Sequence, residues 1–183
     1  MKKLIFVLFF LSIVSFVADA QKFITKTGHI KFYSDSPLEK IEAHNRQVNA
    51  ALDAVTGDFV CKVLVKSFEF EKALMQEHFN EYYVESDKFP NATFIGKVIN
   101  IKDVNISKDG VYEAMVEGKL TIHGTTQPVR EKGTFEVKGT KITGKSKFTI
   151  LLADYNIKIP GAVTNSISKS IEITVDMVLD KLN

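Results

Sequence analysis

Hydrophobic and polar residues alternate along most of the C-terminal half of the chain. In the stretch that begins at Val111, an apolar or small face alternates with a polar face: Tyr112, Ala114, Val116, Gly118, Leu120 and Ile122 against Glu113, Glu117, Lys119, Thr121 and His123. Similar alternation covers residues 129–138, 142–150 and 167–180. A period of two residues predicts β-strands that each have one buried and one solvated face.

The connections between these strands are short, for example at Gly139-Thr140. Parallel neighbours need a crossover of about a dozen residues or more, so we predict antiparallel pairing throughout this half. The N-terminal half is less regular and predicts strands near residues 24–33, 47–54, 59–70 and 92–101, with a short additional pairing near residues 38–43. The pattern therefore predicts an all-β fold of eight or nine strands.

One segment departs from this period. Between residues 72 and 85 the large side chains recur every three to four positions, as Leu74, Met75, His78, Phe79, Tyr82 and Tyr83. This spacing predicts a helix. It should end by Phe89, because a residue that precedes a proline is disfavoured in the helical region. The pattern leaves two roles open: the helix covers an opening and faces a ligand, or it plugs the core.

An apolar face that continues over eight strands is buried either in a two-layer sandwich or inside a closed barrel, and periodicity does not choose between them. The inward positions include small residues among large ones: Ala114, Gly118, Gly133, Gly144 and Ser146. Such residues either leave volume for one small ligand or allow the bends that barrels require. On the first interpretation, a phenylalanine at Gly118 or Gly144 is expected to block ligand uptake without unfolding the protein.

The first twenty residues differ from the rest of the chain. Lys2 and Lys3 precede an unbroken apolar run over residues 4–11, and small residues follow at positions 18–20. This arrangement predicts a secretory signal peptide over residues 1–20, followed by one domain over residues 21–183 that is periplasmic or secreted. Because a membrane span needs about 20 apolar residues, we expect none in the mature chain.

Composition narrows the classes of function. The chain has 183 residues, of which 45% are apolar and 25% charged, as expected of one folded domain. Beyond residue 20 there are 22 basic and 21 acidic residues without a dense basic stripe, which argues against nucleic-acid binding. The single cysteine, Cys61, cannot form an internal disulfide, and it shares an apolar face with Phe59 and Val63. This favours a buried thiol over a reactive one.

Motifs that carry catalysis are not found in the sequence. The four histidines lack the H-x-H and H-x-x-x-H spacings that present two ligands from one element, so we expect no metal site. The chain has no G-x-S-x-G, P-loop or G-x-G-x-x-G motif, and we expect no cofactor and no catalytic residue. His123 has the parity of the solvated face and precedes Gly124, which favours a role in a turn over catalysis.

Three stretches together carry a resemblance. They are FEFEKALMQEHFNEYYVESDKFPNATFIGKV, GKLTIHGTTQPV and ADYNIKIP, at residues 68–98, 118–129 and 153–160. Their combination resembles the YceI-like family of exported bacterial proteins, over residues 23–182. The resemblance implies an extended eight-stranded antiparallel barrel of lipocalin-like shape, whose apolar cavity holds a polyisoprenoid or another long amphiphilic lipid without catalysis. It is compatible with a homodimer.

On this interpretation the cavity is lined by apolar residues of the helix and the strands: Phe68, Phe70, Leu74, Met75, Phe79, Phe94, Ala114, Val116, Gly118, Leu120, Phe148 and Ile150. His78 and Tyr82 are candidates for contacting the lipid head group, while a contact between helix and barrel is the alternative for His78. The expected function is that of an exported, non-enzymatic lipid carrier or store. The alternatives are a small-substrate hydrolase or isomerase at the barrel mouth, and a β-sandwich interaction domain.

Overall fold

The computed structural model describes residues 21–161 and 165–182. Nine strands account for most of these residues: β1 Lys22–Asp35, β2 Lys40–Asp53, β3 Asp58–Leu64, β4 Glu69–Phe70, β5 Asn91–Val98, β6 Gly110–Ile122, β7 Thr125–Lys138, β8 Lys141–Leu151 and β9 Ser170–Lys181. The signal peptide expected for residues 1–20 lies outside the described residues.

Eight of these strands form a closed antiparallel barrel, which confirms the predicted fold and rejects the sandwich. β1, β2, β3, β5, β6, β7, β8 and β9 each pair with the next, and β9 pairs back with β1. Strand β4 is a two-residue addition that pairs with β2 at Ala43↔Phe70 and His44↔Glu69. The barrel is therefore an up-and-down meander, the arrangement that leaves each strand next to its neighbours in the chain.

The two ends of the barrel differ in how they are filled. The end that carries the turns at residues 54–57 and 139–140 is solid, and we call it the packed end. Its largest fully buried apolar side chains include Leu52, Val98, Ile142 and Leu179. The opposite end, called the helix end, carries the short helix α1, Ala73–His78, and the π-helical turn Phe79–Tyr83 that continues it.

Strand β2 is longer and more continuous than the sequence predicts. Residues 38–43 and 47–54 were expected to be separate, yet Lys40–Asp53 is one strand. The reason is Asn45, a polar residue at an inward position with no exposed surface. Its Nδ2 donates to the carbonyl of Leu64 at 2.8 Å, and its Oδ1 accepts from the amide of Gln47 at 2.9 Å. A polar side chain can be buried when its hydrogen bonds are satisfied in this way. At an inward position, however, it interrupts the alternation of apolar and polar residues from which strands are predicted.

Other boundaries also differ from the prediction. The strand expected over residues 59–70 is interrupted by a 3₁₀ turn at Val65–Ser67, and the one expected over residues 92–101 ends at Val98. The helical segment begins at Ala73, and its π-helical turn ends at Tyr83.

The inward glycines allow close approach of strands and do not leave vacant volume. Gly118 of β6 faces Gly96 of β5. A Cβ on Gly118 would lie 2.6 Å from the Cα of Gly96 and 2.8 Å from the ring of Phe94, which covers the pair. A Cβ on Gly144 would lie 3.1 Å from a packed phenylalanine ring. The expectation that phenylalanine at Gly118 blocks uptake without disturbing the fold is therefore wrong, and the same expectation for Gly144 stays a prediction.

The barrel closes between β7 and β8 over a short length. Backbone pairing joins Gly133–Lys138 to Lys141–Ser146, and residues 125–132 of β7 pair with β6 but not with β8 in the described structure. The 3₁₀ turn Leu152–Tyr155 and the residue after it lie against this free part of β7. There, Gln127 Nε2 donates to the carbonyl of Asp154 at 2.7 Å, and Asn156 Nδ2 to Thr125 Oγ1 at 2.9 Å. We call this region the seam.

Candidate functional site

A cavity of about 400 Å³ occupies the barrel between the packed end and the helix end. This volume lies within the range of about 300–1,000 Å³ that is typical of small-molecule sites. Every barrel strand contributes to the lining, which is dominated by aliphatic and aromatic side chains. An interior with this lining binds apolar groups by excluding them from water, without the need for many polar contacts.

Four phenylalanine rings form one wall of the cavity near the helix end. Phe32 of β1 lies between Phe68, Phe70 and Phe79, with ring centroids 5.3, 5.6 and 5.4 Å away. Phe79 also contacts the rings of Phe68 and Phe70, at 5.7 and 5.0 Å. Stacked, tilted and edge-to-face contacts of this kind contribute about 0.5–1.5 kcal/mol each beyond area burial. The wall is therefore held in place by its own ring contacts.

The residues of the helical segment that face the cavity differ in part from those that the sequence predicts. The lining residues from this segment are Met75, His78, Phe79, Tyr83 and Val84. Leu74 and Tyr82 were expected to face the ligand, but they are 61% and 66% exposed and do not line the cavity. A π-helical turn contains more residues per turn than an α-helix. The next residue after Phe79 that faces the cavity is therefore Tyr83 rather than Tyr82. Tyr82 instead packs on the ring of His78, with centroids 5.5 Å apart.

The strand residues expected in the cavity divide into two groups. Those that line it are Phe68, Phe70, Phe94, Val116, Leu120, Phe148 and Ile150. Ala114 and Gly118 do not. Ala114 is buried in the solid packed end, and Gly118 is covered by the ring of Phe94. That any of these residues contacts a ligand stays a prediction.

Several lining residues were missed from the sequence. Phe32 and Ile30 of β1 belong to the irregular half of the chain, where periodicity is weak. Ile171 and Ile173 of β9 lie on the regular inward face, so parity alone was sufficient to find them. The same is true of Glu131, which shares its parity with Val129 and is the inward acidic residue of β7.

The polar part of the lining is small and contains no lysine or arginine among the described residues. Its two carboxylates are Glu39 near the helix end, which is bonded to Lys72 at 3.0 Å, and Glu131. Burial raises the pKa of the Glu131 carboxyl. Burial likewise raises the pKa of the Cys61 thiol to about 12. Cys61 is thus the buried thiol that the sequence favours, and it lines the cavity.

His123 lies at the cavity rim and joins three separate segments. His123 and Gly124 form the two-residue turn between β6 and β7, with φ of 50° and 71°, as type I′ hairpins require. The turn role is confirmed, but the expected solvated position is wrong, since the side chain is 11% exposed. Residues in such a turn leave the strand conformation, so strand parity no longer predicts where their side chains point.

Both ring nitrogens of His123 are engaged. Nε2 lies 2.8 Å from Glu85 Oε2, and Nδ1 lies 3.2 Å from the carbonyl oxygen of Tyr155. The ring of Phe89 stands edge-on, with centroids 4.6 Å apart. The hydrogen bond from His123 lowers the pKa of the Glu85 carboxyl. Since both ring nitrogens are occupied by contacts with protein oxygens, the residue serves as a link between segments rather than as a free base.

A family model for the YceI-like domain matches residues 15–179. The chain belongs to the YceI-like family. A UPF0312 protein of Pseudomonas putida strain F1 is 30% identical over 105 residues, which are 54% of this chain and 50% of the relative. A UPF0312 protein of Pseudomonas fluorescens is 30% identical over 97 residues, or 50% of this chain and 47% of the relative. This YceI-like chain thus spans about half the length of the curated relatives it matches.

Solved structures share the YceI-like fold. A polyisoprenoid binding domain from Saccharophagus degradans superposes with a TM-score of 0.77 at 14% identity, covering 89% of this chain and 99% of that one. Burkholderia cenocepacia BcnA gives 0.68 at 19% identity, covering 82% and 95%. The Campylobacter jejuni YCEI protein gives 0.59 at 15% identity, covering 76% and 84%. No helix within residues 21–161 and 165–182 of the YceI-like chain is long and apolar enough to span a bilayer.

Proposed function

We propose that this protein binds the hydrocarbon chain of a polyisoprenoid or a comparable long amphiphile inside its barrel, as a carrier or store without catalytic activity. The observation that carries this proposal is the apolar cavity that the barrel's own side chains leave vacant between a solid end and the helix end. A well-packed protein interior has few voids larger than a water molecule. A vacancy of about 400 Å³ with an apolar lining fits an apolar occupant.

The energetics support a lipid chain as that occupant. Each methylene group transferred from water contributes about 0.8 kcal/mol, so ten buried groups supply about 8 kcal/mol before association costs are subtracted. Such affinity needs few directed contacts, in agreement with the small polar fraction of the lining. Membership of the YceI-like family and the polyisoprenoid binding of the Saccharophagus degradans domain, to which the fold is similar, support the same ligand class.

Purification followed by lipid analysis tests the proposal. Protein lacking residues 1–20 is expressed, and its organic extract and native mass spectrum are measured. We expect a co-purifying molecule with a long apolar chain. After delipidation, we expect a one-to-one complex with the 20-carbon polyprenyl alcohol geranylgeraniol. Absence of any complex from both the purified and the re-exposed protein, with the far-UV circular dichroism of a β-barrel intact, would refute the proposal.

The arrangement at the rim does not favour a hydrolase or isomerase. His123 and Glu85 are the residues there that resemble an acid–base pair. A general base needs a nitrogen within hydrogen-bond reach of the substrate proton, and both nitrogens of His123 already bond to protein acceptors. We therefore assign this pair a structural role.

Export is a separate part of the proposal and rests on the sequence of residues 1–20. If the signal peptide is cleaved as expected, the mature protein begins at Gln21. Mass spectrometry of the protein from the periplasmic or culture fraction of a bacterial host tests this. A mass that retains residues 1–20 in the cytoplasmic fraction would contradict it.

A further inference from the structure

The inner end of the cavity carries an acidic side chain. Glu131 projects inward from β7, beside Val116 on the paired strand β6. One step closer to the packed end, Gly133 and Ala114 occupy the corresponding positions and no longer line the cavity. On strands β6 and β7, Val116 and Glu131 are therefore the lining residues nearest the packed end, where one end of a molecule that fills the cavity would lie.

The Glu131 carboxylate has no protein partner within the described residues, where it makes neither a hydrogen bond nor an ion pair. Ser146 also lines this end, but its hydroxyl donates to the carbonyl of Lys132 at 2.6 Å. The side chain is half-buried and faces the cavity. An acceptor that has no donor from the protein is suited to an occupant that brings one.

The charge of the lining restricts what that occupant can be. The described lining contains no lysine or arginine, and Glu39 is already bonded to Lys72. A phosphate at the inner end would meet Glu131 without a neutralising cation, and unpaired like charges in an apolar site are strongly unfavourable. A hydroxyl group, in contrast, donates one hydrogen bond to the carboxylate and carries no charge.

We propose that Glu131 determines ligand specificity, by accepting a hydrogen bond from the hydroxyl group at the inner end of an uncharged long-chain alcohol and by excluding anionic head groups from that position. The inference rests on the proposed lipid-binding function and adds the chemical class of the head group and its orientation. The hydroxyl lies at the packed end, and the hydrocarbon chain extends toward the four-phenylalanine wall. The increased pKa of the Glu131 carboxyl supports its placement in a poorly solvated environment.

Three probes of equal chain length test the inference: geranylgeraniol, geranylgeranyl monophosphate and the hydrocarbon phytane. Dissociation constants are measured for the delipidated protein and for Glu131→Gln, Glu131→Leu and Glu136→Gln. The last variant removes the same charge from the exposed face of the same strand and is the matched control. For the unaltered protein we expect the alcohol to bind at least about tenfold more tightly than phytane, as a hydrogen bond to a charged group provides.

The variants distinguish the effect of the Glu131 hydrogen bond on alcohol binding from the effect of its negative charge on phosphate binding. Glu131→Leu should abolish the preference for alcohol over phytane while leaving phytane binding intact. Glu131→Gln should tighten phosphate binding by at least about tenfold. Glu136→Gln should change none of the three constants.

Three results would overturn the inference: equal binding of alcohol and phosphate by the unaltered protein, an alcohol preference that survives Glu131→Leu, or phosphate binding that is unaffected by Glu131→Gln. In each of these cases phytane still binds, so the proposed lipid-binding function is retained. Failure of all three probes to bind the unaltered protein would overturn the proposed function as well.

Discussion

Filling the middle of the cavity should weaken lipid binding by a calculable amount, and Val129 is the position at which to do so. Val129 lines the cavity from β7, directly opposite Gly118 on β6. Gly118 itself cannot carry a bulky group, because a Cβ there would already overlap the backbone of β5. Val129→Phe adds about four carbon atoms that project into vacant space rather than into packed backbone.

The expected effect follows from the methylene groups that the new ring displaces. Displacing about three methylene groups of a bound chain costs about 2.4 kcal/mol, which is about a 60-fold increase in Kd. Val129→Leu adds one methylene group and should cost about 0.8 kcal/mol, or about fourfold. The graded pair distinguishes displacement of the ligand from general damage to the fold.

Equilibrium dialysis with radiolabelled geranylgeraniol measures these constants, and far-UV circular dichroism follows unfolding in urea, since the chain has no tryptophan. The matched control is Val111→Phe, the same change at a residue of β6 that is 68% exposed. It should leave Kd unchanged. If both Val129 variants fold normally and bind as tightly as the unaltered protein, the lipid chain does not pass Val129 and the cavity assignment fails.

Three further predictions concern the cysteine, a turn and the inner carboxyl. Because burial raises the pKa of Cys61 to about 12, iodoacetamide at pH 8 should label the urea-unfolded chain but not the folded protein, and prompt labelling of folded protein would contradict this. Gly124→Ala should destabilise the protein by about 1–3 kcal/mol in urea unfolding, more than Gly139→Ala. Both glycines have positive φ, but only a Cβ at Gly124 would overlap the ring of Phe89, so equal costs would argue against that contact. The raised pKa of Glu131 means that ionisation costs folding free energy at pH above the folded-state pKa and none well below the unfolded-state pKa. Glu131→Gln should therefore be more stable than the unaltered protein at pH 7 and equal to it near about pH 3, whereas a variant that is less stable at pH 7 would be inconsistent with this reasoning.

Sequence periodicity predicts the regular half of the barrel well, because each strand there separates apolar from polar residues. It fails where a polar side chain occupies an inward position. Asn45 is inward and hydrogen-bonded, and it concealed the continuity of β2. Glu131 shares the inward parity of Val129 and Gly133, but as a charged residue it departs from the apolar character of that face.

Closure of the barrel depends on pairing between distant segments, which periodicity does not describe. Strand β1 must pair with both β2 and β9, at registers such as Phe32↔Ala43 and Phe32↔Ile173. The cavity volume likewise depends on how the rings of the aromatic wall contact one another. The position of His123 depends on turn geometry that two positive φ angles define, and strand parity does not apply to it.

The seam places the weaker part of the β7–β8 contact at one end of the barrel only. Backbone pairing joins β7 and β8 over six residue pairs toward the packed end, whereas side-chain bonds such as those of Gln127 and Asn156 hold the rest. Each such bond contributes about 1 kcal/mol net, so the helix end can widen locally while the packed end keeps its pairing. Hydrogen exchange of the amides in residues 125–132 should accordingly be faster than in residues 133–138. If the barrel binds lipid as proposed, local widening at the helix end would let it accept branched hydrocarbon chains as well as thinner ones.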